Sequence, residues 1–242
     1  MSDALELEAL AAELSARFAD KEPQELLRAG VAHFGRRIAL VSSFGTESAV
    51  LLHMLAGIAP ATPVLFLNTG KLFGETLRYR TKLVERLGLT DCRAIAPDAA
   101  EEQAADKDGL LWRLDPNACC ALRKVRPLAK AVAPFEAWIT GRKRYQSGTR
   151  AALPLAEVAD GKLKLNPLAN WDRARVEAYL DLHDLPRHPL EADGFLSIGC
   201  MPCTDRVAPG EDIRSGRWRG TGKTECGIHL PLPSATTQVG AS

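Results

Sequence analysis

Five of the six cysteines in this chain stand where they could do chemistry. Cys119 and Cys120 are adjacent, Cys200 and Cys203 form a Cys-x-x-Cys around Pro202, and Cys226 stands alone near the end. Four soft thiolates in two close pairs can hold a tetrahedral zinc ion or an iron–sulfur cluster, and spacing alone does not choose between them. Pro202 fixes its φ and shapes a tight ligand loop. Lys124 follows the vicinal pair by one helical turn and can set a positive charge beside an anionic thiolate group; the competing reading is a plain surface lysine. Cys92 falls in an apolar stretch and reads as a buried core residue.

The lone thiol has a different setting. Cys226 lies among Gly220, Gly222 and Gly227, with Arg214, Arg217, Arg219, Lys223 and His229 close in sequence. Glycine gives a segment freedom to move, and nearby positive charge makes a thiol a better nucleophile. The alternative is an exposed cysteine without a role. A second candidate site is the turn Ser42-Ser-Phe-Gly-Thr-Glu-Ser48, between an apolar run and a helical pattern. Backbone N–H groups at a helix start and hydroxyls of Ser42 and Ser43 can cradle an anion, with Gly45 allowing close approach beside Phe44. A second run ends in Leu67-Asn68-Thr69-Gly70, at the carboxyl end of a strand, where α/β sheets bind ligands. Neither turn matches the common dinucleotide or Walker fingerprints.

These residues need a frame. Residues 3–19 carry Leu7, Leu10, Leu14 and Phe18 at helical spacing, and Pro23 opens a second helix ending near Gly35. Runs at 38–41, 63–67 and 92–95 read as strands, alternating with helices at 47–56 and 74–87. Residues 97–118 read as a short helix and loop, 121–132 as a helix with a kink at Pro127, 136–140 as a strand and 163–168 as a strand or extended segment. Asp172 caps a helix to His183, and Pro and Gly dominate from 186. The alternation predicts an α/β fold, a mostly parallel sheet with helices on both faces. The expected organisation is one domain over 1–230, with a mobile C-terminal catalytic tail from about 205 and a disordered end at 231–242.

A formal net charge of +1 gives no global field for nucleic acid. Basic clusters at 123–130, 142–150 and 214–223 read as local anion sites or as solvated surface. No apolar run approaches the about 20 residues of a membrane span, and the N-terminus does not look like a secretory signal. The expectation is a cytoplasmic chain with reduced thiols, no nucleic-acid or membrane partner, and room for a homo-oligomer.

Together Ser43-Phe-Gly-Thr-Glu-Ser48, Leu67-Asn-Thr-Gly-Lys-Leu-Phe73, Cys119-Cys-Ala-Leu-Arg-Lys124, Thr140-Gly-Arg-Lys-Arg-Tyr-Gln-Ser147, Gly199-Cys-Met-Pro-Cys-Thr204, Asp212-Ile-Arg-Ser-Gly-Arg-Trp218 and Glu225-Cys-Gly-Ile-His-Leu230 resemble the assimilatory adenosine 5′-phosphosulfate (APS) reductases of the phosphoadenosine phosphosulfate (PAPS) reductase family. The resemblance covers about residues 36–230. It implies an adenine nucleotide α-hydrolase-like, Rossmann-like fold. It also implies a 4Fe–4S cluster on Cys119, Cys120, Cys200 and Cys203, not used to shuttle electrons, with Lys124 linking it to substrate. Cys226 would be the nucleophile. The phosphosulfate would lie among Ser43, Lys124, Arg142, Arg214, Arg217 and His229, and the adenosine near Ser42, Phe44, Gly45 and Leu67 to Gly70. The implied reaction is reduction of APS to sulfite and AMP through an S-sulfocysteine, in sulfate assimilation and cysteine biosynthesis. The residues after Cys226 are too few for a thioredoxin-like domain, so thioredoxin is expected as an external reductant.

One departure stands out. The family usually has Leu-Asp-Thr-Gly, and Asn68 replaces the acid, keeping one acceptor and adding a donor. Relatives that cleave ATP carry Ser-Gly-Gly-x-Asp-Ser; the turn here lacks Gly-Gly and has Glu47 in the acid's place, which argues against an ATP-dependent thiolase. PAPS or dual APS/PAPS reduction and a non-catalytic iron–sulfur or zinc sensor that binds nucleotide are the other readings. The sensor would not need Cys226.

Overall fold

Apolar runs with no polar alternation predict strands covered on both faces, and the sheet is built that way. The computed structural model describes residues 2–229, with side chains from residue 4 onward. The expected disordered end, 231–242, lies outside the described residues. Helices α1 (Ser2–Arg17) and α2 (Pro23–Phe34) lead into β1 (Ile38–Ser42), α3 (Ser48–Ala56), β2 (Val64–Leu67), α4 (Gly74–Leu87) and β3 (Cys92–Ile95). Short helices α5 (Ala99–Ala105), α6 (Leu111–Leu114) and α7 (Pro116–Cys120) follow, then α8 (Arg126–Val132), β4 (Ala137–Ile139), β5 (Ala156–Ala159), β6 (Lys162–Leu165) and α9 (Arg173–Leu182).

The sheet order is β3-β2-β1-β4-β6-β5, parallel except for the β5–β6 hairpin. Side chains two apart share a face. Ile38, Leu40, Val64, Phe66, Ala137 and Ile139 join the larger core, which packs on α1 to α4 and α9. Ala39, Leu65, Leu67 and Trp138 point the other way, onto Leu128 and Val132 of α8. The predicted cover on both faces is therefore present.

Sheet growth reverses at β1, which pairs with β2 on one side and β4 on the other. Such a switch point opens a crevice at the carboxyl ends of the two strands. Both predicted nucleotide turns, after β1 and β2, and the basic loop after β4 end there.

Three local differences from the sequence reading have physical causes. β5 was missed: it turns into β6 through Asp160 and Gly161, both at positive φ (54° and 69°), the backbone of a tight two-residue hairpin. The helix from Pro116 runs on to Val132 without a break. Pro127 has no N–H for the carbonyl of Arg123, and the ladder widens over Ala121–Val125, where the Arg126 N–H reaches the Ala121 carbonyl. Cys92 is half-buried at the edge strand β3 rather than in the core, with Arg80 Nη2 3.4 Å from its sulfur.

The described residues from about 205 to 229 form no helix or strand of their own, but they fold back on the molecule. Thr204 bridges Arg217, Asp205 N–H donates to the Gly216 carbonyl, and Trp218 is buried. Ile228 packs on the α8 side of the sheet, so this segment closes the mouth of the crevice.

Candidate active site

Two cavities meet at Lys124. The larger, about 220 Å³, is lined by the β1 turn, the loop after β4 and the C-terminal segment, including Ser42, Ser43, Lys124, Arg217, Cys226 and His229. The smaller is ringed by Cys119, Cys120, Cys200 and Cys203, with Lys71, Trp112 and Arg123. Lys124 and Cys200 line both.

The cysteine cavity is assembled by two straps. Asp115 caps α7, accepting from the N–H groups of Asn117 and Ala118 at 2.9 Å, with Pro116 in the first turn. This fixes Cys119 and Cys120 at the start of the run and brings Arg123 and Lys124 one turn later to the same cavity. Cys200 is strapped to the loop after β2: Leu72 bridges Cys200, Met201 N–H donates to the Lys71 carbonyl at 2.7 Å, and Thr69 Oγ1 lies 3.2 Å from Cys200 Sγ. All six cysteines are free thiols. Burial, then the neighbouring Cys120, pushes the Cys119 thiol up to about 11. Among the described residues no group of three or more His, Cys, Asp or Glu side chains closes on a metal ion; the sulfurs ring a cavity instead.

Arg123 is the buried keystone of the cysteine cavity. Its Nε and Nη2 donate to Asp106 Oδ2 at 3.2 and 2.6 Å, Nη2 reaches Glu102 Oε1 at 2.8 Å, and Nη1 donates to the Thr69 carbonyl at 2.9 Å. Sequence reading assigned it no role.

The β1 turn holds its unusual backbone at a bulky residue. Gly45 does not carry the unusual backbone; Phe44 does, at φ 49°. A left-handed bulky residue is held only by strong packing. Phe44 is fully buried, edge-on to Phe66 at 5.3 Å between centroids, and its N–H donates to Ser42 Oγ. A Cβ on Gly45 would make only ordinary contacts, at 3.5 Å and beyond. Of the predicted nucleotide contacts, Ser42, Ser43, Gly45, Leu67 and Thr69 line the cleft, whereas Phe44, Asn68 and Gly70 do not. The Asn68 side chain turns back and accepts from the Gly70 N–H at 3.3 Å.

Most of the basic side chains are already paired. Glu47 accepts from Lys143 Nζ and Gln146 Nε2, each at 2.7 Å, and from Tyr145 Oη. Burial opposes its ionisation, but Lys143 and these hydrogen bonds hold the carboxyl below its ordinary range. Arg142 lines the cleft, yet its guanidinium is committed to Glu157, Asn166 and Thr140. Arg150 donates to both oxygens of Glu225 at 2.9 Å, and Arg214 adds a contact at 3.2 Å. Lys124 and Arg217 meet no carboxylate among the described residues; both lie against the Trp218 ring, at 5.8 and 4.4 Å. The Arg217 Nε is buried without a partner. Burial opposes the Lys124 charge, but Cys200, Cys226 and Cys120 reverse this and raise its pKa.

His229 stacks on Trp138 at 6.2 Å between centroids. Burial, then Lys164, Arg142, Arg150 and Arg214, drives its pKa well below the ordinary value, so the ring is neutral. Of the other basic neighbours in sequence, Arg219 pairs with Glu211, and Lys223 donates to Asn117 with its Nζ 5.7 Å from the Trp218 ring. All six residues expected around the phosphosulfate therefore line the cleft, although Arg142 and Arg214 are engaged by carboxylates. Trp218, Arg150 and Glu225 belong with them and were not singled out from sequence.

This geometry has relatives. A family model described as the phosphoadenosine phosphosulfate reductase domain matches residues 37–206. The chain is 52% identical to an adenosine 5′-phosphosulfate reductase of Mesorhizobium japonicum over 92% of this chain and 88% of that protein. It is 42% identical to a phosphoadenosine 5′-phosphosulfate reductase of Gloeobacter violaceus over 89% of this chain and 92% of that one. The crystal structure of phosphoadenylyl-sulfate reductase from Candida auris, a phosphate complex, superposes with a TM-score of 0.69 at 30% identity, covering 81% of this chain and 96% of that chain. The expected adenine nucleotide α-hydrolase-like fold is thus met. A switch-point cleft beneath a cysteine-bearing segment, matched along most of the sequence, makes this chain a member of the phosphoadenosine phosphosulfate reductase family.

Proposed function

We propose that this chain reduces adenosine 5′-phosphosulfate to sulfite and AMP, with Cys226 as nucleophile. One observation carries the reading: Cys226 lines the same switch-point cleft as the β1 turn and the carboxylate-free pair Lys124 and Arg217. The Cys226 thiolate attacks the sulfur of the sulfate group. An S–S bond forms, the S–O bond to the phosphate breaks, and AMP leaves with the electron pair. Lys124 and Arg217 balance charge on the sulfuryl and phosphate oxygens. One thiolate of a reduced dithiol protein of the thioredoxin class then attacks Cys226, releasing sulfite. Its second thiolate frees Cys226 and leaves the partner as a disulfide, so two electrons pass to the sulfur.

The donor set suits a 4Fe–4S cluster: four soft thiols ring one small cavity, in a chain expected in the reducing cytoplasm. Cys119, Cys120, Cys200 and Cys203 would hold it, and bound there it would supply a compact anionic centre against the Lys124 ammonium. Iron and acid-labile sulfide content of anaerobically purified protein tests this separately from turnover, and a zinc-only protein would overturn it.

The decisive assay is sulfite release with reduced thioredoxin, offering APS and PAPS in parallel, with the nucleotide product read as AMP from the first and adenosine 3′,5′-bisphosphate from the second. APS is expected to be the better substrate, with AMP and sulfite in equal amounts. Comparable use of PAPS would make the enzyme a dual reductase, a reading that the Gloeobacter relative's name supports. Cys226→Ser is expected to bind AMP and release no sulfite; turnover in that variant would sink the assignment of the nucleophile.

A further inference from the structure

Glu225 poses a problem for an anion-binding cleft. It directly precedes Cys226, and its carboxylate takes up two guanidinium groups that would otherwise face the nucleotide. Arg150 grips it with two parallel hydrogen bonds, both 2.9 Å, and Arg214 Nη2 adds a third at 3.2 Å. The same Arg214 nitrogen holds the Thr224 carbonyl at 3.0 Å. Forked carboxylate pairs of this kind are directional as well as strong. The side chains are 10%, 20% and 15% exposed for Arg150, Glu225 and Arg214, so solvent screens them little.

The contact does not end at Arg150. Its Nη1 donates to Gln146 Oε1 at 2.6 Å, and Gln146 Nε2 donates to Glu47 Oε2 at 2.7 Å. Glu47 immediately precedes α3. A continuous chain of hydrogen bonds thus ties the residue before the thiol to the end of the nucleotide turn, where α3 begins. The backbone around the thiol gives little restraint of its own: Gly220, Gly222 and Gly227 all have positive φ. A negative charge here costs affinity for an anionic ligand, so its contribution must lie elsewhere.

We propose that Glu225 is a positioning residue that fixes Cys226 in the cleft by clamping the C-terminal segment to Arg150 and Arg214. This rests on the reading of Cys226 as nucleophile. Without the carboxylate, the segment loses its hold beside the thiol while two guanidinium groups become free for the nucleotide. Loss of Glu225 therefore slows attack without weakening nucleotide binding. A residue that only supported the fold would not separate the two.

The test compares the cluster-loaded wild type with Glu225→Gln and Glu225→Asp. Cys226 alkylation by iodoacetamide without nucleotide is followed by mass spectrometry, AMP binding by calorimetry, and S-sulfonation of Cys226 at saturating APS in a single turnover. Glu225→Gln is expected to alkylate faster and sulfonate more slowly, each by roughly 10- to 100-fold, the range for a lost charged hydrogen bond. AMP binding should stay equal or tighten, and Glu225→Asp should recover part of both rates. Alkylation and sulfonation within twofold of wild type would overturn the proposal, as would parallel loss of AMP binding. Should Glu225→Gln not fold, Arg150→Lys decides: it keeps the charge but loses the fork, and should shift both rates the same way by less. If the wild type itself never sulfonates Cys226, the catalytic reading fails, and the alkylation arm still reports on the clamp.

Discussion

Replacing Arg123 with Met should unseat the floor of the site. Arg123 is 2% exposed and its partner Asp106 1%, so neither charge is served by water. Taking away the guanidinium leaves a buried carboxylate with only the Leu111 N–H on its other oxygen, and breaking buried pairs in this way costs about 3–5 kcal/mol. It also leaves the Thr69 carbonyl without its donor, a further ~1 kcal/mol. For a chain of this size each kcal/mol moves the thermal midpoint by about 2–4 °C, so a fall of roughly 10 °C is expected. Urea unfolding under anaerobic conditions measures the loss directly. The double change Arg123→Met with Asp106→Leu should recover at least half of it, because removing both charges of a buried pair is often neutral. A loss below about 1 kcal/mol, the value of an exposed pair, would refute the reasoning, and so would a double variant no better than the single one.

Two further outcomes follow from the cleft. Gly199→Ala would put a Cβ 2.1 Å from Arg217 Nη2; the flexible guanidinium must shift, so AMP binding should weaken by roughly 10- to 100-fold with little change in the unfolding midpoint, and unchanged affinity would count against Arg217 as an anion ligand. His229 is neutral when docked among Lys164, Arg142, Arg150 and Arg214, with Glu157 and Glu225 as the counter-charges. Released into water it would titrate near about 6.5. The docked state then binds fewer protons, so docking is complete above that pH and weakens as pH falls below it. Trp138 emission, compared with a His229→Gln control that lacks the step, measures this, and identical docking on both sides of that pH would disprove it.

The parts of this protein that sequence shows well are those set by local period and chemistry. The runs in β1 and β2 announce doubly covered strands because both of their faces are buried. The four paired cysteines and Cys226 announce themselves by type and spacing, and they do gather at adjoining cavities. β5 was hidden because only Ala156 of its residues is fully buried, leaving no apolar signal. The left-handed backbone of Phe44 has no sequence signal because it is packed against Phe66, a neighbour only in space. Glu225 was illegible for the same reason: its partner Arg150 is 75 positions away.

The basic clusters show most clearly what folding adds. In sequence, 123–130, 142–150 and 214–223 look like three equivalent anion sites. The fold spends most of that charge internally: Glu47 takes Lys143, Glu157 takes Arg142, Glu225 takes Arg150 and Arg214, and Asp106 takes Arg123. What remains unpaired by carboxylates in the cleft among the described residues, Lys124 and Arg217 against Trp218, comes from two of those clusters and shares the cleft with Cys200 and Cys226. The uncompensated positive field is therefore focused at the thiol rather than spread along the crevice. An anionic ligand would be drawn in by its charged end, while Ser42, Leu67 and Thr69, which line the same cleft, carry no charge. A further phosphate on the ligand could gain the paired arginines only by drawing them off their carboxylates, and for Arg150 and Arg214 that breaks the ion pairs to Glu225, the residue before Cys226.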